Sequence, residues 1–565
     1  MMNIAEFYAG KNLFVTGGTG FIGKVLLEKL LRSCPDINGI YCLVRPKKGL
    51  TPHERLESLF EQRLYDKLRT AQPDFMDKVH LVSGDIMEDN LGMSDEARTT
   101  LEEKIHIVFH SAATIRFNEP LRLAVQLNML GVRRMLQVCR RFKNLQVFVH
   151  VSTAYANCER KYIDEVVYPP AMEPQKIIDA IGWMDDEMIS LITPRLIGHK
   201  PNTYTFTKQL AESMLVTEGA DLPLAIVRPS IVTAAWQEPL PGWIDNFNGP
   251  SGLYIAAGKG LLRSIKADSQ VVADFIPVDL PVNMMVAVAW YTAVHKPKQN
   301  AKIYHITTGG LNPFTWGEME GIVMNYFKRN PLEACFRRPK CNLTKSRVLH
   351  DYWVLVCHMI PAYIVDMGYR LVGQKPRMVT IYRKLHKALS TLEYFTHREW
   401  EWTHTNMDLL KGQMSAEDQK KFYFDPRGMH WPTYLENYCN GTKKFVLKED
   451  PSGLPAARAH IKKTAKHPLH VQHDHADPVL ARADRSFPDG PQLLVLHDGP
   501  CLQVRAVLPH YFNDQLEQEN GTLDCMISRP GGLDRLRRVS MCGCDEAGAT
   551  IGTLVHTAVI QHTNT

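Results

Sequence analysis

The stretch Thr-Gly-Gly-Thr-Gly-Phe-Ile-Gly at residues 16–23 decides the fold of this chain. A short apolar run at residues 13–15 precedes it, and residues 24–31 follow it with apolar side chains at helical spacing. A strand, a glycine-rich turn and a helix in this order are the context that a dinucleotide-binding fingerprint requires. The alternative is a glycine-rich turn that binds no ligand, because three spaced glycines alone are a weak signal.

Each glycine of this turn has a predicted role. Gly17 permits the tight turn, Gly20 leaves space for a pyrophosphate, and Gly23 lets the helix pack close to the strand. The unpaired N–H groups and the positive dipole end of the helix face the phosphates. We therefore expect a dinucleotide cofactor to contact the turn and the first helical residues, namely Gly17, Thr19, Gly20, Phe21, Ile22 and Gly23.

The composition is that of a soluble globular protein, with 45% apolar and 22% charged residues. A length of 565 residues predicts two domains and an appendage. The net charge of +6 is too small over this length to indicate a nucleic-acid partner. Twelve cysteines without repeated Cys-x-x-Cys pairs indicate free thiols in a reducing compartment.

The sequence predicts neither a signal peptide nor a membrane span. Residues 1–10 lack the order of charged, apolar and small residues that a signal peptide has. The longest apolar runs fall short of the roughly 18 residues of a span. Residues 353–365 contain His358 and Pro361, and residues 282–294 contain a polar asparagine, so at most surface contact with a bilayer is expected.

Strand-like apolar runs alternate with helical patterns through the first 300 residues. This alternation predicts an α/β fold, a Rossmann-type doubly wound parallel sheet. We place a nucleotide-binding domain with substrate-binding insertions at residues 1–330, and we expect residues 169–201 to be an irregular, proline-containing insertion. The strand alternation then ends, which predicts a mainly helical C-terminal domain at residues 350–448. From 464 to 565 the periodicity fades, and we expect a poorly ordered tail.

The residue after the second strand favours one form of the cofactor. In a βαβ nucleotide unit an acid there binds the ribose of NAD, whereas a cation suits the 2′-phosphate of NADP. The strand at residues 39–44 is followed by Arg45 and two lysines, without an acid. The sequence therefore favours NADP, although Lys47 and Lys48 fit a solvated basic loop equally well.

Two further strand ends supply candidate cofactor contacts. Asp85 and Ile86 follow the third strand, where a carboxylate can accept from the adenine amine, although a capping turn also uses Asp. The fourth strand, residues 105–110, opens onto small residues that let the backbone approach the cofactor or simply make a tight turn. These residues are Ser111, Ala112 and Ala113.

The catalytic candidates are Thr153, Tyr204 and Lys208. Thr153 follows the fifth strand, and the carboxyl ends of strands hold ligands in doubly wound sheets. Tyr204 and Lys208 are four residues apart, on one face of a predicted helix. A neighbouring ammonium and a positive nicotinamide ring would lower the tyrosine pKa from about 10, and the threonine hydroxyl would stabilise a carbonyl oxygen. Asn128 lies inside a predicted helix, where a lone asparagine is usually a surface residue or a hydrogen-bonded core residue, so we do not count it as a candidate site residue.

These motifs resemble those of the extended short-chain dehydrogenase/reductases, with Thr153, Tyr204 and Lys208 in the catalytic places. The resemblance narrows to the fatty acyl-CoA reductases through the glycine turn and several other segments. They are His-Val-Ser-Thr-Ala-Tyr at 150–155, Tyr-Thr-Phe-Thr-Lys at 204–208, Val-Arg-Pro-Ser-Ile-Val at 227–232, Glu-Pro-Leu-Pro-Gly-Trp-Ile-Asp-Asn-Phe-Asn-Gly-Pro at 238–250, Pro-Ala-Tyr at 361–363 and Trp-Glu-Trp at 400–402.

The resemblance implies reduction of a long-chain acyl-CoA to the primary alcohol and CoA by two NADPH, through an enzyme-held aldehyde. Such alcohols supply wax ester and ether lipid synthesis. The resemblance also implies cofactor contacts from Tyr204, Lys208, Pro229 and Val232, and no metal ion. The family resides at the peroxisomal membrane and faces the cytosol.

The similarity ends at about Lys463. Relatives continue into an apolar membrane anchor, whereas this chain continues with polar sequence, so a cytosolic location or peripheral membrane contact is expected. Four histidines in the tail fit a polar disordered tract better than a metal site, because no cysteine or folded context accompanies them. They are His467, His470, His473 and His475.

Two other functions stay open at this point. An epimerase, dehydratase or hydroxysteroid dehydrogenase would use the same fold and cofactor. A non-catalytic nucleotide-binding scaffold would need the glycines but not Thr153, Tyr204 and Lys208.

Overall fold

A parallel sheet forms the centre of the chain. The computed structural model describes residues 2–47, 49–296 and 301–464. The strands are β1 (Asn12–Thr16), β2 (Gly39–Val44), β3 (Val79–Ser83), β4 (Ile107–His110), β5 (Val147–Val151), β6 (Tyr162–Ile163), β7 (Leu224–Pro229), β8 (Ile231–Thr233), β9 (Ser264–Lys266), β10 (Phe275–Pro277), β11 (Lys302–Ile306), β12 (Asn342–Thr344) and β13 (Glu401–Trp402).

Seven of these strands form the main sheet, in the order β11-β7-β5-β4-β1-β2-β3, and every neighbouring pair is parallel. The strand order reverses between β1 and β4. In open parallel sheets, ligands bind outside the carboxyl ends of the strands at such a reversal. The fold therefore places a crevice next to the glycine turn.

Helices follow most of the strands. They are α1 (Ile4–Tyr8), α2 (Phe21–Ser33), α3 (Pro52–Phe60), α4 (Asp66–Ala71), α5 (Asp95–Lys104), α6 (Leu121–Val125), α7 (Gly131–Cys139), α8 (Pro174–Trp183), α9 (Asp186–Ile197), α10 (Thr203–Glu218), α11 (Pro250–Gly258), α12 (Asp279–His295), α13 (Trp316–Arg329), α14 (Arg347–Trp353), α15 (Ile360–Leu371), α16 (Met378–Thr396), α17 (Thr405–Gln413), α18 (Ala416–Lys421), α19 (Trp431–Gly441) and α20 (Leu454–Thr464).

Different helices cover the two faces of the main sheet. Leu13 and Val15 of β1 belong to one buried cluster with α2 and α12. Phe14, which points to the opposite face, belongs to another cluster with α7 and α10. This alternation is the expected consequence of the two-residue period of a strand. The prediction of a Rossmann-type doubly wound sheet is confirmed.

Residues 169–201 are mainly helical, which corrects the prediction of an irregular insertion. Pro174 opens α8, where its ring displaces no intrahelical hydrogen bond, and Pro194 lies in the last turn of α9. Ile189 of α9 joins a buried apolar cluster with Phe206 of α10. Proline at helix ends is therefore compatible with the two helices that this segment forms.

The C-terminal region is mainly helical and packs on the sheet. Its strand β13, which the sequence analysis missed, pairs in parallel with β6. Met407 and Leu410 of α17 share a buried cluster with α12. At the edge of this core, the Ile4 N–H donates to the Asp418 carboxylate at 3.3 Å, across 414 positions of the chain.

One helix is longer and more apolar than the sequence analysis predicted. α14 and α15 are joined by a widened turn at Val354–Met359 into a continuous helix, Arg347–Leu371, of 25 residues. Pro361 follows this turn and does not end the helix. By length and composition alone it is long enough to cross a membrane. We call Arg347–Leu371 the apolar helix.

Some predictions fall on residues that the structure does not describe. They concern Lys48 and the tail beyond residue 464, including its predicted disorder and its histidines His467, His470, His473 and His475.

Candidate active site

The glycine turn between β1 and α2 has the geometry of a dinucleotide cradle. Gly17 has φ +74°, and a Cβ there would lie 2.7 Å from the Ser111 carbonyl carbon and the Ala112 nitrogen. A Cβ on Gly23 would lie 2.2 Å from the Gly17 oxygen. A Cβ on Gly20 would meet, within 4 Å, the Gly17 oxygen alone, at 3.1 Å. The turn therefore needs glycine at its first and last positions, and a side chain at the middle one would be in tight contact with a single backbone oxygen.

A segment from far along the chain lies against the start of α2. The ring of Trp243 stacks on Phe21, with centroids 5.5 Å apart. Asp245 accepts from Lys24 Nζ at 2.7 Å. The two contacts cover the first turn of α2, the part of the helix that faces the phosphates. Sequence reasoning linked residues 238–250 to the site only by family resemblance.

Two arginines lie near the predicted ribose site. Arg45 is 58% exposed, and its guanidinium lies 3.6 Å from the Asp85 carboxylate. Arg55 on α3 donates to the Thr19 hydroxyl at 3.1 Å and also to the Arg45 carbonyl oxygen. The sequence analysis missed Arg55. Its position in the first helix after β2 is the signal that could have identified it, since this helix follows the predicted specificity loop.

The other predicted cofactor contacts line the same edge of the sheet. Asp85 also accepts from the Met87 N–H at 3.1 Å, so it makes the turn cap that was the alternative to adenine binding. The neighbouring Ile86 is buried. Ser111 binds the Thr16 carbonyl oxygen through both its N–H and its hydroxyl, and this fixes the loop that continues through Ala112 and Ala113 beside the glycine turn.

Thr153, Tyr204 and Lys208 meet at the carboxyl end of β5. The Thr153 hydroxyl lies close enough to the Tyr204 phenol to lower its pKa as a hydrogen-bond partner, and it accepts from the Tyr155 N–H at 3.3 Å. Lys208 Nζ donates to the Val151 carbonyl oxygen at 2.8 Å. The structure therefore brings together the three residues that the sequence analysis proposed as catalytic.

Burial controls the protonation of this group. It raises the pKa of Tyr204 to about 12, against a smaller lowering by the Thr153 hydrogen bond. It lowers the pKa of Lys208 to about 8, while Glu212 acts in the opposite direction. The cost of burying a phenolate exceeds the effect of the Thr153 hydrogen bond, and Glu212 raises the pKa further. The predicted lowering depends on a bound nicotinamide ring and stays a prediction. The phenol keeps its proton and can act as a donor.

Asn128 has a definite position that the sequence analysis did not assign. It lies in the widened turn Gln126–Leu130 between α6 and α7, and it is buried. Its amide oxygen accepts from the Thr114 N–H at 3.0 Å, and its amide nitrogen donates to the Thr207 hydroxyl at 3.1 Å. Asn128 therefore ties the loop after β4 to the helix that carries Tyr204 and Lys208.

An aromatic cluster adjoins Tyr204. Phe117 stacks on Tyr204 with ring centroids 5.8 Å apart, and the Phe395 ring lies 5.3 Å from Phe117. Tyr155 and Trp400 continue the cluster. The side chains beside Tyr204 are therefore apolar, and two of them come from the C-terminal region.

The last two predicted cofactor residues are Pro229 and Val232, which lie in β7 and β8. Pro229 ends β7, the neighbour of β5, and Val232 lies in β8, which pairs with β10. Ile231, next to Val232, packs on the aromatic cluster. Both predicted residues thus belong to the segment that continues from β7.

Comparisons with known proteins identify relatives of this chain. A family model described as "Male sterility protein" matches residues 15–285, and a second with the same description matches residues 357–449. Fatty acyl-CoA reductase 1 from Gallus gallus is 54% identical over 463 residues, which cover 82% of this chain and 90% of the relative. Fatty acyl-CoA reductase 2 from Homo sapiens is 47% identical over the same shares.

Among solved structures, the reductase domain of a nonribosomal peptide synthetase from Mycobacterium tuberculosis superposes with a TM-score of 0.50. It is 16% identical and covers 76% of this chain and 91% of its own. At this identity the likeness concerns the fold. The glycine turn fits a nicotinamide dinucleotide, and the 54% identity extends over most of both proteins. This chain belongs to the fatty acyl-CoA reductase family and has its nicotinamide-cofactor-binding domain.

Proposed function

We propose that this protein reduces long-chain acyl-CoA to the primary fatty alcohol and CoA, with NADPH and through an enzyme-held aldehyde. The observation that carries the proposal is the group of Thr153, Tyr204 and Lys208 beside the glycine turn, on a chain of this family. Bound NADPH supplies the hydride. The protein's own side chains hold the substrate carbonyl and move protons.

Tyr204 acts as the proton donor to the carbonyl oxygen. Its raised pKa keeps the proton on the phenol near neutral pH, and reduction of a carbonyl needs an acid at the oxygen. The Thr153 hydroxyl, which lies beside the phenol, stabilises negative charge on the same oxygen. Lys208 is held by the Val151 carbonyl and presents its remaining donors to the nicotinamide ribose.

The two arginines near β2 support NADPH rather than NADH. The 2′-phosphate needs a cation, and Arg45 and Arg55 supply two at the end of β2. We assign the remaining cofactor contacts to the residues that line the carboxyl edge of the sheet. These are Gly17, Thr19, Gly20, Phe21, Ile22, Gly23, Asp85, Ile86, Ser111, Ala112, Ala113, Pro229 and Val232.

The aromatic cluster supports an acyl substrate. Phe117 and Phe395 give Tyr204 an apolar neighbourhood, in which the burial of an alkyl chain is favourable. We propose residues 1–330 as the reductase domain and residues 350–448 as the part that covers the acyl chain. By family, the protein resides at the peroxisomal membrane, faces the cytosol and feeds wax ester and ether lipid synthesis.

The test is incubation of the purified chain with NADPH and stearoyl-CoA, followed by analysis of alcohol, aldehyde and free CoA. We expect the alcohol and CoA in equal amounts, with two NADPH oxidised for each alcohol formed. An epimerase would show no net NADPH oxidation, and a scaffold would bind NADPH without turnover. Either result would reject the proposal.

A further inference from the structure

The apolar helix has an inverted distribution of polar and apolar side chains. Two of its buried residues are polar, His358 and Asp366. Its exposed face is instead dominated by large apolar side chains, in a stripe along most of its length. These exposed residues are Val348, Leu349, Tyr352, Leu355, Ile360, Tyr363, Ile364, Met367 and Leu371. A surface helix of a globular protein normally has the opposite arrangement.

Hydrogen bonds of the buried polar residues hold this orientation. The Asp366 carboxylate accepts from the backbone N–H groups of Arg377, Met378 and Val379, and so it caps the start of α16. His358 Nε2 accepts from the Arg263 N–H at 2.9 Å. Turning the helix to bury its apolar stripe would break these bonds. The exposed stripe is therefore a fixed feature of the fold.

The same bonds argue against a transmembrane orientation. A span needs a helix that is free of its own domain along some 30 Å. The inner face of the apolar helix instead packs on β9 and α16, with the His350 ring 3.0 Å from the Ser264 hydroxyl. The polar inner face also could not lie in hydrocarbon without loss of its hydrogen bonds. The geometry fits a helix that lies along an interface.

Basic residues outnumber acids in the apolar helix and the residues that flank it, and of these cations Lys345 pairs with Asp268 and Arg347 with Asp351. Within residues 345–387, all of them described, eight basic side chains stand against two acids, of which Asp366 is buried. The Arg383 guanidinium lies 3.4 Å from the Tyr363 hydroxyl, at the side of the stripe. The basic residues are Lys345, Arg347, Arg370, Lys375, Arg377, Arg383, Lys384 and Lys387.

We propose that the exposed face of the apolar helix docks on the surface of a bilayer that contains anionic phospholipid. Large apolar side chains inserted at the level of the headgroups, with lysine and arginine around them, are the combination that binds an interfacial helix to such a surface. A second copy of this chain would also bury the stripe, but it would bring the basic residues of the two copies close together. The charge therefore favours lipid as the occupant.

The docked helix leads toward the active site. α16 begins beside Asp366 and ends with Phe395 next to Phe117, which stacks on Tyr204. α16 thus joins the docked helix to the aromatic cluster, where an amphiphilic substrate from the bilayer would be used. This link rests on the proposed acyl substrate, whereas docking itself is measured without substrate.

The test is sedimentation of the full-length chain with vesicles of phosphatidylcholine, alone or mixed with phosphatidylserine. The variant is Leu355→Glu with Ile364→Glu, two substitutions on the exposed stripe. Leu409→Glu is the matched control, because Leu409 is a 38% exposed leucine of α17 outside the apolar helix. Melting temperatures report whether each variant folds, and sedimentation velocity reports self-association.

We expect the unmodified chain and the Leu409→Glu control to sediment with the mixed vesicles, more than with phosphatidylcholine alone. The double variant should bind at least about tenfold less at an unchanged melting temperature. Arg370→Glu with Lys375→Glu should remove the preference for phosphatidylserine. Equal sedimentation of the double variant and the unmodified chain would overturn the proposal. If the unmodified chain does not bind vesicles but forms a dimer, and the double variant is a monomer, the stripe binds a second copy of the chain instead.

Discussion

Lys208 Nζ is hydrogen-bonded to the carbonyl oxygen of Val151, at 2.8 Å. Val151 ends β5, and Thr153 follows two residues later. The bond therefore fixes the ammonium relative to the hydroxyl that contacts Tyr204. It also explains why a lysine one helical turn beyond the tyrosine is needed here, since a shorter side chain would not reach the strand.

Tyr204→Phe should lower alcohol production by about a hundredfold or more, because it removes the proton donor. NADPH affinity, measured by fluorescence titration, should change little. Tyr254→Phe is the control: this tyrosine is also buried, and within the described residues its hydroxyl has no hydrogen-bond partner. Near-normal turnover of Tyr204→Phe would disprove its assignment as the acid.

Arg45→Asp should narrow the preference for NADPH over NADH, because an acid would repel the 2′-phosphate and favour the ribose hydroxyl. Arg55→Gln should weaken NADPH binding by about tenfold and affect NADH little, since one charged hydrogen bond is lost. Lys47→Asp, an exposed neighbour, serves as the control. If neither arginine variant changes the ratio of the dissociation constants of NADPH and NADH, a different cation binds the 2′-phosphate.

Gly23→Ala should reduce NADPH affinity by about tenfold or more, because its Cβ would lie 2.2 Å from the Gly17 oxygen and displace the turn. Gly321→Ala is the matched control in α13, where a Cβ meets nothing within 4 Å. That substitution should stabilise the fold by roughly 0.5–1 kcal/mol. Calorimetric titration measures the NADPH affinity of both variants, and thermal unfolding measures their stability. Equal NADPH affinities of Gly23→Ala and Gly321→Ala would show that the turn adapts to the added Cβ.

The lowered pKa of Lys208 predicts a pH dependence. The ammonium loses its proton as the pH rises through about 8, so kcat/KM for NADPH should fall above that pH. His110, whose pKa burial lowers to about 3, and the buried His150 stay neutral over this range and do not compensate. Lys208→Arg should remove the fall, since arginine keeps its charge. If kcat/KM of Lys208→Arg still falls at alkaline pH, the titration of another group causes the fall.

Local patterns predicted much of the fold and the core of the site. The glycine turn, Thr153, Tyr204 and Lys208 are recognisable because strand ends and helical spacing bring such residues to one edge of a sheet. Arg55 was missed because its contact with Thr19 depends on how α3 folds back over the turn. The rise of the Tyr204 pKa through burial was not predicted, because burial is a property of the packed molecule.

The polarity of the apolar helix could not be predicted for a similar reason. Its sequence shows apolar residues on several sides, and which side faces outward is decided by Asp366 and His358 through contacts with α16 and Arg263. Pro361 also suggested a break, although a widened turn absorbs it. Long-range contacts fix features that local periodicity leaves open.

The bond between Ile4 and Asp418 has a consequence for synthesis on the ribosome. At 5–20 residues per second, Asp418 is made on the order of 20–80 seconds after Ile4. Throughout that time the Ile4 N–H at the start of α1 lacks this partner, whereas the Tyr8 hydroxyl can already donate to the Val286 carbonyl oxygen of α12, which is made earlier. In nascent chains halted between residues 295 and 418, α12 should therefore hold α1, and the Ile4 amide hydrogen should exchange faster than in the complete chain.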